Sequence, residues 1–167
     1  EGRDACVQPE RVRGVDRKME MREGSCRFGL WHVHVHWSRS LVRLVRFSLH
    51  PLEGAVPLPI QRYCAGFPGD LRELQSIALS PGYPYSEVYR RVWEIPYGHT
   101  RTYGDIARDL GISPRQVGLA MKRNPTPLVI PCHRVVSRTG PGGFTPDPAI
   151  KEALLSMERR NTRCLSG

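Results

Sequence analysis

Residues 31–37 alternate without a break. Trp31, Val33, Val35 and Trp37 fall on one side and His32, His34 and His36 on the other. A period of two predicts a half-buried strand. Ser38-Arg39-Ser40 then reads as a short turn, and residues 41–49, interrupted by Arg43 and Arg46, as the antiparallel partner. Residues 1–24 are polar and lack periodicity, which predicts a flexible arm. Residues 51–68 are rich in proline and show no helical period. They predict a connection that includes an edge strand. Leu71, Leu74, Ile77 and Ala78 share one helical face, so a helix is expected over residues 70–79.

Ser80-Pro81-Gly82-Tyr83-Pro84 breaks the chain, and its character changes beyond that point. The expected organisation is an arm at 1–24, a support domain at 25–80, a linker at 81–85 and a second domain at 86–167. Ser86 is placed to cap a helix with Val88, Val92 and Trp93 inward. Thr102 and Asp105 match a capping box, as do Ser113 and Gln116, the latter with Pro114 at the first helical position. Gly111 suits the left-handed residue between the two helices. Two short helices joined this way make a helix-turn-helix, whose second helix docks on DNA. On that helix Val117, Ala120 and Met121 form an apolar face. Arg115 and Lys122 share the opposite face, with the bare Gly118 between them. A glycine there costs about 1 kcal/mol relative to alanine. It serves either close approach to a groove or a tight helix crossing.

Charge sharpens this picture. The 167 residues hold 25 Lys+Arg against 16 Asp+Glu, a net charge of +9. Residues 86–167 carry 13 cations and 7 anions, net +6, against 12 and 9, net +3, in the first half. An anionic partner at the helix-turn-helix fits that imbalance. Ordinary hydrophobic content excludes a disordered chain, and no apolar run is long enough to span a bilayer. The five cysteines contain no CxxC pair. An odd count without a secretory signal predicts reduced thiols and a cytoplasmic protein. The three strand histidines, or Cys6 with Cys26, could bind a metal, but a solvated strand face explains the histidines as well, and no metal is expected.

The segment Asn124-Pro125-Thr126-Pro127-Leu128-Val129-Ile130-Pro131-Cys132-His133-Arg134-Val135-Val136 holds three prolines that exclude a helix or a central strand. Its cysteine is flanked by histidine and arginine, and nearby cations favour the nucleophilic thiolate. A buried inert cysteine is the bland alternative.

Ile130-Pro131-Cys132-His133-Arg134-Val135 resembles the active-site signature of the O6-alkylguanine-DNA alkyltransferases. Ile95-Pro96-Tyr97-Gly98, Thr100 to Gly104, Arg115 to Met121 and Asn124-Pro125 resemble the same family, in the same order. The likeness is specific from about residue 86 to residue 158 and faint before it. It implies an α+β protein. A small antiparallel sheet with a helix, ribonuclease-H-like, would support the site without supplying any part of it. A mostly helical, winged-helix-like domain would carry the helix-turn-helix and the cysteine.

The function implied is cofactor-free, single-use repair. An alkyl group on the O6 atom of guanine, or the O4 atom of thymine, would pass to Cys132 after the base is flipped from duplex DNA, with a monomer acting alone. His133 would activate the thiol, through a water in related proteins, and Glu158 would orient the histidine. Tyr103 would assist the leaving base and crowd its phosphate. Asn124 would join the recognition helix to the active-site turn. Arg115 would enter the base stack, with Thr102, Gln116, Gly118, Lys122 and Arg123 also at the DNA. Val135, Phe144 and Thr145 would line the alkyl pocket. The chain departs from the family in Gly142-Gly143-Phe144-Thr145-Pro146-Asp147-Pro148, where proline and aspartate replace small residues. Asp147 and Pro148 suit a helix cap and first turn. The alternatives are a helix-turn-helix sensor or regulator without transfer activity, and a Cys-His hydrolase.

Overall fold

The computed structural model describes residues 20–166, with side chains to residue 163. The predicted arm therefore lies outside the described residues except for its end. That end is strand, because β1 runs Arg22–Phe28 and corrects the expected boundary at 24. β2 is Trp31–Ser38 and β3 is Leu41–Ser48, all antiparallel neighbours. Two-residue turns join them, with positive φ at Gly29 and Arg39. A short β4, Gln75–Ser76, pairs parallel to β3.

The alternation in β2 is only half obeyed. Val33 and Val35 are fully buried, but His34 is buried too. Its Nε2–H donates to the His50 carbonyl at 2.6 Å. His36 lies instead beside Glu23, 3.5 Å away. The histidines do not converge, and no cluster of three metal-ligating side chains exists among the described residues.

Helix placement needs two corrections. The first helix, α1, is Leu58–Cys64, inside the segment read as a connection. Pro59 falls in its first turn, where the missing N–H costs nothing. Ile60, Tyr63 and Cys64 supply its buried face. Residues 70–79, expected to be helical, form turns, β4 and a 3-10 turn at Ile77–Leu79. Their apolar spacing is real, since Leu71, Leu74 and Ala78 are buried. Ser76 breaks the helix by capping its own 3-10 turn, accepting from the Ala78 amide at 3.0 Å.

Beyond this point the helices are α2 (Ser86–Trp93), α3 (Tyr103–Leu110), α4 (Pro114–Lys122) and α5 (Pro148–Ser166). Ser86 is the first helical residue rather than the cap. Tyr85 precedes it at φ 62° and caps nothing through its side chain. Both predicted capping boxes form. Arg101–Thr102 (β5) and Val135–Val136 (β6) make a short parallel pair.

Two apolar cores result. One joins Val33, Val35, Val42, Ile60 and Tyr63 to Leu128, Ile150, Leu154 and Met157. The other joins Val88, Val92, Ile106, Val117 and Ala120 to Ile130, Cys132 and Val135. The stripe of α5 is thus buried against the N-terminal sheet. Phe144 packs against both cores and meets Phe47 edge-on, ring centres 5.7 Å apart. The Cys26 and Cys64 thiols, on β1 and α1, are hydrogen-bonded to each other and are free, as is Cys132. Cys6 and the Cys164 side chain lie outside the described residues.

Candidate active site

The proline-rich segment leaves α4 and threads between the two cores. The Asn124 side chain folds it. Its Nδ2 donates to the Ile130 carbonyl at 2.9 Å, and its Oδ1 accepts from the Thr126 amide at 3.0 Å. The Pro125 carbonyl accepts from the Val45 amide at 2.9 Å, tying the segment to β3. Leu128 sits at φ 77°, a conformation costly for a residue with a side chain. Its side chain is buried, and that burial holds it there.

Cys132 begins a 3-10 turn, Cys132–Arg134, in which all three side chains are buried. Burial pushes the thiol pKa up, against a hydrogen bond from Asn124 and the nearby Lys151 charge. At rest Cys132 is therefore a thiol, which would need a base before it could act as a nucleophile. His133 is fully buried, and that burial lowers its pKa despite the facing Glu158. Its Nε2 lies 2.6 Å from Glu158 Oε2. Its Nδ1 is buried with no protein partner. With the proton on Nε2, donated to the carboxylate, Nδ1 is the basic atom.

Glu158 anchors the arrangement. Oε1 accepts from the Gly98 amide and Arg134 Nε, both at 2.9 Å. Oε2 also accepts from Arg134 Nη2 at 3.1 Å and from the Tyr63 hydroxyl at 2.5 Å. Burial alone would raise its pKa, but His133 and Arg134 outweigh that and hold it well below the usual carboxylate range. Gly98 reaches Glu158 only as glycine: its φ is +80°, and a Cβ would run into the Thr162 hydroxyl. Arg134 also donates to the Ile95 carbonyl at 2.7 Å and to Asp70 at 3.0 Å, and stacks over Tyr97.

In front of the thiol lies a cavity of about 310 Å³. It is lined by Tyr103, Gly118, Lys122, Asn124, Phe144 and Thr145 with Cys132, and also by Met121, Pro127 and Gly143. Two of the three expected pocket residues are present. Val135 is not: its side chain is fully buried behind the wall, and its carbonyl accepts from Lys151 Nζ at 2.6 Å. Gly118 borders the cavity with open space where a Cβ would stand, so the tight-crossing reading is wrong. Arg115, Lys122 and Arg123 are exposed on the outer side of α4. Thr102 and Gln116 spend their side chains on the two capping boxes.

Sequence reasoning missed three participants. Lys151 is 1% exposed, and its Nζ also lies 3.5 Å from the Tyr103 hydroxyl and over that ring. Burial lowers its pKa to about 8, against the pull of Cys132. A signal existed: Lys151 stands seven residues before Glu158, on the same helical face. Arg134, expected as a cation favouring the thiolate, instead spends its guanidinium on Glu158, a role its place in the motif did not suggest. Tyr63 comes from α1, so the N-terminal domain does contribute a side chain to the site.

These features define a helix-turn-helix protein with a buried cysteine next to a histidine–carboxylate pair, at a cavity bordered by its second helix. The family described as 6-O-methylguanine DNA methyltransferase, DNA binding domain, matches residues 84–160. A methylated-DNA–protein-cysteine methyltransferase of Saccharolobus islandicus is 43% identical over 97 residues, 58% of this chain and 62% of that relative. One of Methanocaldococcus jannaschii is 47% identical over 91 residues, 54% of each chain. Among solved structures, an O6-methylguanine DNA methyltransferase from Methanococcus jannaschii superposes with a TM-score of 0.59 at 31% identity, covering 81% of this chain and 92% of that one. Mycobacterium tuberculosis OGT in complex with DNA gives 0.66 at 25%, covering 81% and 91%. The match spans less than two thirds of the length of the first curated relatives. The chain belongs to the O6-alkylguanine-DNA alkyltransferase family.

Proposed function

We propose that this chain repairs DNA directly, moving an alkyl group from the O6 atom of guanine in duplex DNA to Cys132. The observation that carries this reading is the thiol itself. It opens into a cavity bordered by the helix-turn-helix, with a base held at its back by a buried carboxylate. His133 Nδ1 takes the thiol proton. Sulfur attacks the alkyl carbon, the C–O6 bond breaks, and its electron pair goes to the purine oxygen. The purine then takes up a proton, for which the Tyr103 hydroxyl is the donor at hand, itself beside Lys151. The products are a thioether and unmodified guanine. Nothing regenerates the thiol, so each molecule acts once.

The target atom is shielded in a duplex, so the base must be flipped. Arg115, exposed near the start of α4, suits insertion into the vacated stack. Gly118, bare toward the cavity, lets the base pass. Contacts at Lys122 and Arg123 suit phosphates, which carry no sequence information. The cysteine must be a reduced thiol before it can react, which suits the cytoplasm. Thr145, exposed at the cavity mouth, is in position to limit the alkyl groups accepted. Incubation with duplex DNA bearing labelled O6-methylguanine tests the reading. Label should reach protein one for one, and Cys132→Ala should abolish it. Transfer surviving that substitution overturns the mechanism.

A further inference from the structure

The catalytic account uses His133 and Glu158 but leaves a third group in the same knot unexplained. Tyr63 is 2% exposed on α1, far in sequence from either partner. Its hydroxyl lies 2.5 Å from Glu158 Oε2 and 3.2 Å from His133 Nε2, while those two atoms are 2.6 Å apart. The three polar atoms form a closed triangle. Its ring is fixed from the other side by Tyr97, edge-on at 5.8 Å between centres.

Only one proton arrangement satisfies the triangle. Glu158 is a carboxylate, so it accepts from both neighbours. The phenol spends its proton on Oε2, leaving its oxygen lone pairs toward Nε2–H. Burial, reinforced by Glu158, keeps the phenol pKa well above its usual value, so it stays a donor. We infer that Tyr63 is a positioning residue of the alkyl-transfer site: it holds Glu158 and the Nε2 side of His133, sets the histidine's basicity and leaves Nδ1 as the basic nitrogen. The consequence for repair rests on the proposed function, whereas the effect on the ring does not.

The direction of that effect follows from charge. A hydrogen bond to Oε2 draws carboxylate charge away from the imidazole. Removing it leaves more negative charge on the carboxylate 2.6 Å from the ring, which outweighs the loss of the neutral phenol oxygen at 3.2 Å and favours imidazolium. The other groups facing His133 are Glu158 and Lys151 from α5, and Cys132 and Arg134 from its own turn. Asp70 binds Arg134, and Tyr97 lies under the same guanidinium. Tyr63→Phe changes none of these and keeps the ring packing.

The test is an NMR titration of 15N-labelled His133 in the whole protein, alongside the pH profile of alkyl transfer. In Tyr63→Phe the His133 midpoint should rise by about half a unit or more, and the acid limb of the transfer profile should rise with it. Replacing the Tyr63 ring with 3,5-difluorotyrosine keeps its shape and strengthens its donation, so the midpoint should fall. This second variant decides the matter should Tyr63→Phe not fold. A midpoint unmoved by the ring replacement, or by Tyr63→Phe where it folds, overturns the inference, because packing alone would not shift it. A parent protein that transfers no alkyl group overturns the functional reading alone, since the ring titration is read without substrate.

Discussion

Five hydrogen bonds converge on Glu158, from Gly98, Tyr63, His133 and twice from Arg134. Their donors come from three separate stretches of chain, so this side chain is structural whatever its part in transfer. Glu158→Gln leaves the buried Arg134 guanidinium with the partly exposed Asp70 as its counter-charge and should cost about 3 kcal/mol of stability. The pH dependence has a definite sign. The folded pKa lies below the unfolded value near 4.3. The carboxylate's contribution is therefore complete above that value and is lost as pH falls through the folded one. Urea unfolding between pH 7 and pH 3 should show a steep acid loss in the parent and a shallower one in Glu158→Gln. Parallel curves would contradict this. At this scale the sequence was legible where a short motif carried the chemistry, as at Cys132, His133 and Asn124. It was opaque where the partner is distant. Nothing near Tyr63 announces that its hydroxyl meets a carboxylate 95 residues away.

Among the elements, α4 makes the sharpest demand on its sequence. Gly118 is unfavourable for a helix, yet a Cβ there would meet nothing within 4 Å. Gly118→Ala should therefore stabilise the protein by about 1 kcal/mol. It should also slow transfer from duplex DNA, because the methyl projects where the base must pass. Thermal melting and transfer kinetics check the two halves; an alanine variant both stabler and equally fast would remove the functional reason for the glycine. Arg115→Ala separates flipping from chemistry. Flipping costs a few kcal/mol, so losing the inserted side chain should slow duplex repair about 10–100-fold. Reaction with free O6-benzylguanine should be unchanged, and equal losses on both substrates would refute the insertion. Capping residues made α3 and α4 readable, since both boxes are local chemistry. The helix at residues 58–64 and its absence at 70–79 were not readable. Tertiary burial chose between two short apolar patterns that periodicity could not rank.

Across the whole molecule, the N-terminal sheet and α5 hold the reactive turn against the helix-turn-helix through two cores that meet at Phe144. Cys132 sits in that packed junction at 7% exposure. Cys132 accepts a hydrogen bond from Asn124, the side chain that folds this segment; an alkyl group on sulfur disturbs it, so the alkylated protein should lose about 1 kcal/mol and melt earlier than the free thiol form. Calorimetry of both forms checks this; an unchanged melting temperature would show that the group leaves that bond undisturbed. Charge acts at the same scale. The larger share of the net positive charge, +6 against +3, lies in the half that carries α4. Alkyl transfer to Cys132 is the step on which the rest depends. Intact-protein mass measurement after incubation with excess duplex O6-methylguanine DNA tests it most directly. The account predicts one added methyl per molecule, located on the peptide containing Cys132, with no further turnover. A methyl on any other residue, or repair of more lesions than there are protein molecules, would contradict it.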